Sequence, residues 1–488
     1  MSLNDYLENQ KHQVSQLEEY HRLEQFANQA LDEYASAPQI EPGHEVTIAF
    51  YDLRIVDHHG EPRCEVGLPN GWPNDPQELD QFIKDNWAVG NQGMINNIES
   101  SDQIFSDLAR GNFTIAQQFL VNWHHMQSSL TATKHVKLAK VDDLAPGTKY
   151  IYPIALHGSG HYNVDYCKKN GVWLPDRVKS DARRGVAKIL IHEAFEGHGF
   201  NLNQHRKFVE TNSQVHDIPL DAFGFVDGNL LTPQLQRQYG TRGFYYPWWE
   251  DHMNIRSNQQ INWQLEGLYK KNTWRPHRFV CLNRRRRHHR ILLTLAISQR
   301  WNSQTLWSLT DASQLQDFVH IVKTDIGVDD EKYINSIPKI IDVDETVNDT
   351  GCNLDIQYRA HMAIVPETMF IESETIFLSE KAFKPLMTAQ PFIVAGSPYT
   401  LKMLQTMGYR TFHPIINEDY DSEFNWARRM QMIIDEIDRI AAMDKNQFEE
   451  FMFAAADICL HNHQTIVKRN LQMTALRTLL GQLAEWLQ

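Results

Sequence analysis

Short apolar runs separated by polar, turn-forming stretches recur along this chain from residue 148 onward, alternating with segments of helical spacing. That alternation predicts βαβ units and a parallel-sheet protein. The runs at 150–156, 186–192 and 222–226 predict strands, with a helix over 203–212 between the last two. A second series starts at Pro276. It comprises a strand over 278–283, a helix over 291–300, strands over 362–365 and 391–395, and between these a short helix opened by Ser379. Residues 1–36 place Leu, Tyr and Phe at helical spacing among Gln and Glu and predict a leading helix. Residues 46–56 predict a strand, 60–75 a Pro- and Gly-rich loop, and 76–108 helical material. Residues 232–275, rich in Tyr, Trp, Gln and Asn with little periodicity, predict a connection between domains. Helices are expected over 424–443 and 445–487.

With 488 residues and 42% hydrophobic content, the chain has material for two domains of ordinary size plus extensions. The expected division is an N-terminal helical or mixed extension over 1–115, a first sheet domain with its linker over 116–275, a second over 276–415, and C-terminal helices over 416–488. A net charge of −14 argues against a surface that tracks nucleic acid throughout, while leaving room for a local basic cleft. Five cysteines, Cys64, Cys167, Cys281, Cys352 and Cys459, lie far apart with no Cys-x-x-Cys spacing, which fits a reducing cytoplasm. The first 34 residues are polar and charged, and no segment has eighteen uninterrupted apolar residues, so neither secretion nor a membrane span is expected.

Two clusters carry the chemistry of an anion site. Ser379 is a good N-cap, the helix start behind it is expected to offer free backbone N–H groups, and Lys381 and Lys384 share a face of its first turns. Between the strand at Phe279 and the helix at Ile291 stands Asn283-Arg284-Arg285-Arg286-Arg287-His288-His289-Arg290, with five arginines in seven residues. Guanidinium groups bind phosphate bidentately and stay charged, so a strand end carrying them suits a diphosphate. A solvated basic turn or a nucleic-acid patch is the plainer reading of such a run.

The order strand, Asn283, Arg290, then Tyr358-Arg359-Ala360-His361-Met362-Ala363 leading to Glu367, then Ser379-Glu380-Lys381 and Pro391-Phe392-Ile393-Val394, resembles the donor half of fucosyltransferase and exostosin-like glycosyltransferases. The segment 377–421, with Gly408-Tyr409-Arg410-Thr411-Phe412, is also similar to glycosyltransferase-like proteins of large viruses and phages. The resemblance covers about the last 210 residues. It implies an α/β, GT-B-like fold with two Rossmann-like domains facing a cleft, plus extra N- and C-terminal helices. It also implies that Asn283, Arg290, Glu367, Glu380 and Lys381 hold a nucleotide-diphosphate sugar: Arg290 and Lys381 neutralise the diphosphate, and Glu380 accepts from the ribose hydroxyls. Arg284, Arg287, Ser379 and Lys384 extend that donor set. Pro366-Glu367-Thr368 stands where Glu-Asn is usual, and Ser379 stands for Thr, so the resemblance does not single out a GDP-sugar.

Residues 116–275 are then the acceptor side, with a general base among His192, Glu193 and Glu196 just after the strand over 186–192, against the plainer reading of a structural loop with satisfied histidines. A zinc reading of His192, Glu193 and His198 is weaker. Those histidines are six apart, and Gly197 and Gly199 disfavour the helix that a zinc motif needs. Asp342-Val343-Asp344 lies in an acidic, loop-like stretch and reads as a solvated loop. No cofactor or divalent metal is expected, and His157-Gly158-Ser159-Gly160-His161 reads as a loop. The aromatic run 244–249 suits stacking of sugars or bases, or interdomain packing, and Asp227-Gly228-Asn229 reads as a turn. The acceptor is a glycan or protein, with modified DNA also open. A catalytically inactive glycosyltransferase-like scaffold and a metal-dependent hydrolase are the alternative functions. The expected location is the cytoplasm, a host's if the protein is viral.

Overall fold

The computed structural model describes residues 2–13, 17–50, 135–155, 174, 176–193, 202–247, 249–250, 275–310, 319–326, 330–341, 354–371, 374–468 and 471–488. The chain divides into two compact units, one made of Met1–Ala35 with Trp248–Arg469 and the other of Ser36–Pro247 with Asn470–Gln488. Expectations for 60–75, 76–108, 157–161, 342–344, Glu196 and His198 lie outside the described residues.

Helices α1 (Leu3–Gln13) and α2 (Leu17–Ser36) take the place of the one leading helix expected. Then come β1 (Val46–Phe50), β2 (Val136–Lys140), β3 (Tyr150–Ala155), α3 (Asp176–Arg183), β4 (Ala187–Glu193), α4 (Leu202–His216), β5 (Phe223–Asp227), α5 (Thr232–Arg237) and β6 (Arg242–Tyr245). These six strands form one sheet in the order β2-β1-β3-β4-β5-β6, every neighbouring pair parallel. A parallel sheet is covered on both faces, so its strands read as continuous apolar runs, and all five residues of β5 are buried. Ile189, Ile191, Phe223 and Phe225 pack with Tyr150, Leu174, Val178, Ala182 and Val209 in its core. The expectation of a plain connection over 232–275 is corrected at its start. α5 and β6 occupy that stretch, and a four-residue strand, Arg-Gly-Phe-Tyr, is too short to show a period.

The second series is β7 (His277–Cys281), α6 (His288–Ala296), β8 (Thr305–Trp307), β9 (Ala360–Pro366), α7 (Glu380–Met387), β10 (Phe392–Ala395), α8 (Thr400–Thr406), α9 (Trp426–Ala441) and α10 (Lys445–Lys468). Its four strands are again parallel, in the order β10-β9-β7-β8. The strands expected over 278–283, 362–365 and 391–395 form here. α6 begins three residues before the expected start and opens into a π-helical turn at Ile297–Trp301. Two mixed α/β units, each with a parallel sheet, are compatible with a two-domain Rossmann-like fold. α11 (Leu471–Leu487) belongs to the six-stranded unit, where Trp486 lies 5.4 Å from Phe244 and donates its indole N–H to the Asp221 carbonyl at 3.1 Å. Gly224 makes that contact feasible, since a Cβ there would stand 2.7 Å from the Trp486 ring. Among the described residues no helix is long and apolar enough to cross a membrane.

Candidate functional site

In each sheet the first strand of the series lies between the second and the third: β1 between β2 and β3, and β7 between β8 and β9. Connections leave such a pair in opposite directions, and ligands bind in the crevice this opens at the strand C-termini. In the four-stranded unit that point lies between β7 and β9. Asn283 and the arginine run follow β7, and Glu367 follows β9, so both stand at the strand ends on either side of this switch point.

Asn283 is 2% exposed. Its amide N–H donates to the Ser308 hydroxyl at 3.1 Å and its side-chain NH2 contacts the Cys281 sulfur at 3.4 Å, while its Oδ1 has no hydrogen-bond partner. Arg284 and Arg285 are exposed; Arg286 and Arg287 are half-buried. Arg287 is the N-cap of α6 and makes no side-chain cap bond, so no carboxylate or hydroxyl closes that helix start from the cap position. Its guanidinium donates instead to the Thr368 carbonyl at 2.5 Å. Arg290 is 3% exposed and donates through Nη2 to the Glu367 carbonyl at 3.1 Å, leaving Nε without a partner. Burial, and then the charge of Arg287, push its pKa down to about 10, so it stays charged at neutral pH. His289 donates from Nε2 to the same carbonyl at 2.9 Å. Burial and Arg290 hold its pKa well below the ordinary value, which keeps the ring neutral.

The β9 side differs from the expectation. Ser379 does cap α7, its hydroxyl accepting from the Lys381 amide at 3.3 Å. The helix start behind it is not open to a ligand, because the Glu367 carboxylate already fills it. Glu367 is fully buried and accepts from the Ser379 hydroxyl at 2.6 Å, the Ser379 amide at 3.1 Å, the Ala382 amide at 3.2 Å and the Thr368 amide at 2.8 Å. Free N–H groups at a helix start attract whatever anion lies nearest, and a glutamate one residue beyond the strand is nearest. Burial pushes its carboxyl pKa up, against the pull of Lys381 and the Ser379 hydrogen bond. Glu380 is also buried and accepts from the Lys381 ammonium at 2.5 Å. Burial opposes its ionisation, yet Lys381 and then Lys384 hold its carboxyl below the usual range. The Lys381 side chain keeps 22% exposure against 7% for that of Glu380, and Lys384 is half-buried.

At the end of β10, fully buried Arg429 binds three carbonyls: Gly396 at 3.1 Å, Glu423 at 2.5 Å and Phe370. Asp421 caps α8 through the Leu401 and Lys402 amides at 2.8 and 3.0 Å. Sequence reasoning passed over His289, Arg429 and Asp421. A signal for Arg429 was there: it lies in the apolar stripe of α9 beside Met430, Ile433 and Ile437, where a cation needs a buried partner.

In the six-stranded unit, His192 and Glu193 end β4, with Glu193 in register with Asp227 and His192 with Ala155 and Val226. Asp227-Gly228-Asn229 is the expected turn, closed by the Asn229 amide on Asp227 Oδ1 at 2.6 Å. Phe244 and Tyr246 are buried, and Phe244 packs on Trp486 within its own unit. A surface cavity of about 510 Å³, lined by Arg183, Ser213, Gln214, Asp217, Ile218 and Pro219, lies where α3 and α4 end ahead of β4 and β5, on the edge opposite the strand C-termini. No family model and no curated protein matches this chain.

Proposed function

We propose that this protein is a GT-B-like glycosyltransferase that moves a sugar from a nucleotide-diphosphate donor to an acceptor hydroxyl without a divalent metal. One observation carries the reading: the arginine run, an α6 start with no side-chain cap and the Glu380–Lys381 pair converge on the β7/β9 switch point. Because Glu367 occupies the start of α7, the diphosphate is assigned to the α6 start, with Arg284, Arg287 and Arg290 on one side and Lys381 and Lys384 on the other. Lys381, the more exposed of its pair, is the group a phosphate meets first. Asn283 and Ser379 shape the floor, and Glu380 faces the ribose.

In the reaction the acceptor oxygen bonds to the anomeric carbon as the bond from that carbon to the diphosphate oxygen breaks. The diphosphate leaves with the electron pair, and the acceptor proton passes to a general base. Fixed cations stabilise the charge that develops on the leaving group. The acceptor is a glycan, a protein or modified DNA, and the free, buried thiols of Cys281 and Cys459 suit a cytoplasmic setting.

The test is release of nucleoside diphosphate from a panel of UDP-, GDP-, CDP-, ADP- and TDP-sugars, with hydrolysis as the background reaction. Turnover of one donor that Lys381→Ala abolishes supports the reading; turnover of none overturns it. A second reading, an inactive scaffold with the same fold, is favoured by one observation: Glu367 and Arg290 are engaged by the protein's own groups.

A further inference from the structure

Glu367 joins both halves of the site through different atoms. Its carbonyl accepts from His289 at 2.9 Å and Arg290 at 3.1 Å, on the β7 side. Its carboxylate accepts from Ser379 and Ala382, on the α7 side. It has no exposed surface, so a ligand at the strand ends cannot touch it without displacing those bonds. The resemblance places Glu367 among the residues that hold the donor, but the contacts describe a clamp. Removing the clamp frees the first turn of α7, and with it the backbone that carries Glu380 and Lys381.

We propose that Glu367 is a positioning residue: its buried carboxylate fixes the Ser379–Lys381 turn so that Glu380 and Lys381 stand ready for a nucleoside diphosphate at the β7/β9 crevice. The role rests on the donor-site reading above. A carboxylate that accepts from three groups at a helix start, the Ser379 hydroxyl and the Ser379 and Ala382 amides, orients it more firmly than a serine cap alone, because each donor it satisfies would otherwise be buried and unpaired. Orientation matters here because a misplaced turn costs transition-state contacts even when every residue remains present.

The experiment uses the full chain as wild type, Glu367→Gln, Lys381→Ala and the double variant. Calorimetry against the five nucleoside diphosphates is read beside amide hydrogen exchange over 379–383. Glutamine keeps the shape and one acceptor oxygen but replaces the other with a donor facing N–H groups. The expected result is faster exchange at Ser379 and Ala382 and affinity lower by about tenfold. The double variant binds no more weakly than Lys381→Ala, since Glu367 acts through that turn. Unchanged exchange, or losses that add, overturns the proposal even if the wild type binds a diphosphate. If the wild type binds none, the donor-site reading falls, and the exchange data alone decide whether Glu367 clamps the turn. If Glu367→Gln fails to fold, Ser379→Ala, which removes the 2.6 Å bond from the other side, is expected to reproduce the faster exchange; unchanged exchange there overturns the proposal.

Discussion

The Ser379 hydroxyl donates to the Glu367 carboxylate at 2.6 Å, so the N-cap of α7 and the residue that follows β9 form one hydrogen-bonded unit. An anion-binding helix start thereby becomes an internal joint. The cations outside that joint are those at the start of α6 and the half-buried Lys381 and Lys384.

Arg429 is expected to be the most costly single side chain to lose at the ends of β9 and β10. Arg429→Met strands the buried carbonyls of Gly396 and Phe370 and the half-buried carbonyl of Glu423. At about 1–3 kcal/mol for a buried group left unpaired, the loss should reach roughly 3 kcal/mol or more. A fall in the urea midpoint at unchanged slope checks it.

Asp421 makes stability depend on pH. Burial pushes its pKa from 3.8 to about 7, so between those values the folded chain holds a proton that the unfolded chain has lost. The stability this group contributes is complete below its unfolded pKa and is lost as pH rises through about 7. Asp421→Asn should flatten that part of the profile, and the wild-type-minus-variant difference in Tm between pH 5 and pH 8 measures it. An unchanged difference would contradict the assignment.

Gly224→Ala should loosen α11, because the added methyl meets the Trp486 ring at 2.7 Å. Overpacking of this kind costs about 1–3 kcal/mol. The Gly224→Ala, Trp486→Leu double variant should recover part of the loss, read by thermal denaturation of the six-stranded unit.

If Lys381 is the first cation a phosphate meets, raising the salt concentration should weaken diphosphate binding in the wild type more than in Lys381→Ala. Exposed charges are screened within about 10 Å at 0.1 M salt. Titrations at two ionic strengths give the comparison, and equal salt slopes would place the anion elsewhere.

Much of the fold was legible because parallel strands bury both faces and so read as apolar runs: β4, β5, β7, β9 and β10 all announce themselves as Val, Ile and Phe clusters. β6 did not, since four residues with a glycine carry no period. Ser379 was legible as a cap because its residue type has few other reasons to precede a helical pattern. What occupies that cap was not. Glu367 lies twelve residues earlier, and only the β9–β10 pairing brings it to the helix start. The buried ties of Arg290 and Arg429 to backbone carbonyls were hidden for the same reason: sequence shows a cation but not the main chain folded around it.

The measurement that bears most directly on the central claim is calorimetric titration of the wild type and Lys381→Ala with UDP, GDP, CDP, ADP and TDP. One diphosphate is expected to bind the wild type, and the variant to lose at least tenfold in affinity, a difference of about 1.4 kcal/mol. Wild-type protein that binds none of the five, or a variant that binds as tightly, would contradict a donor site at the β7/β9 crevice.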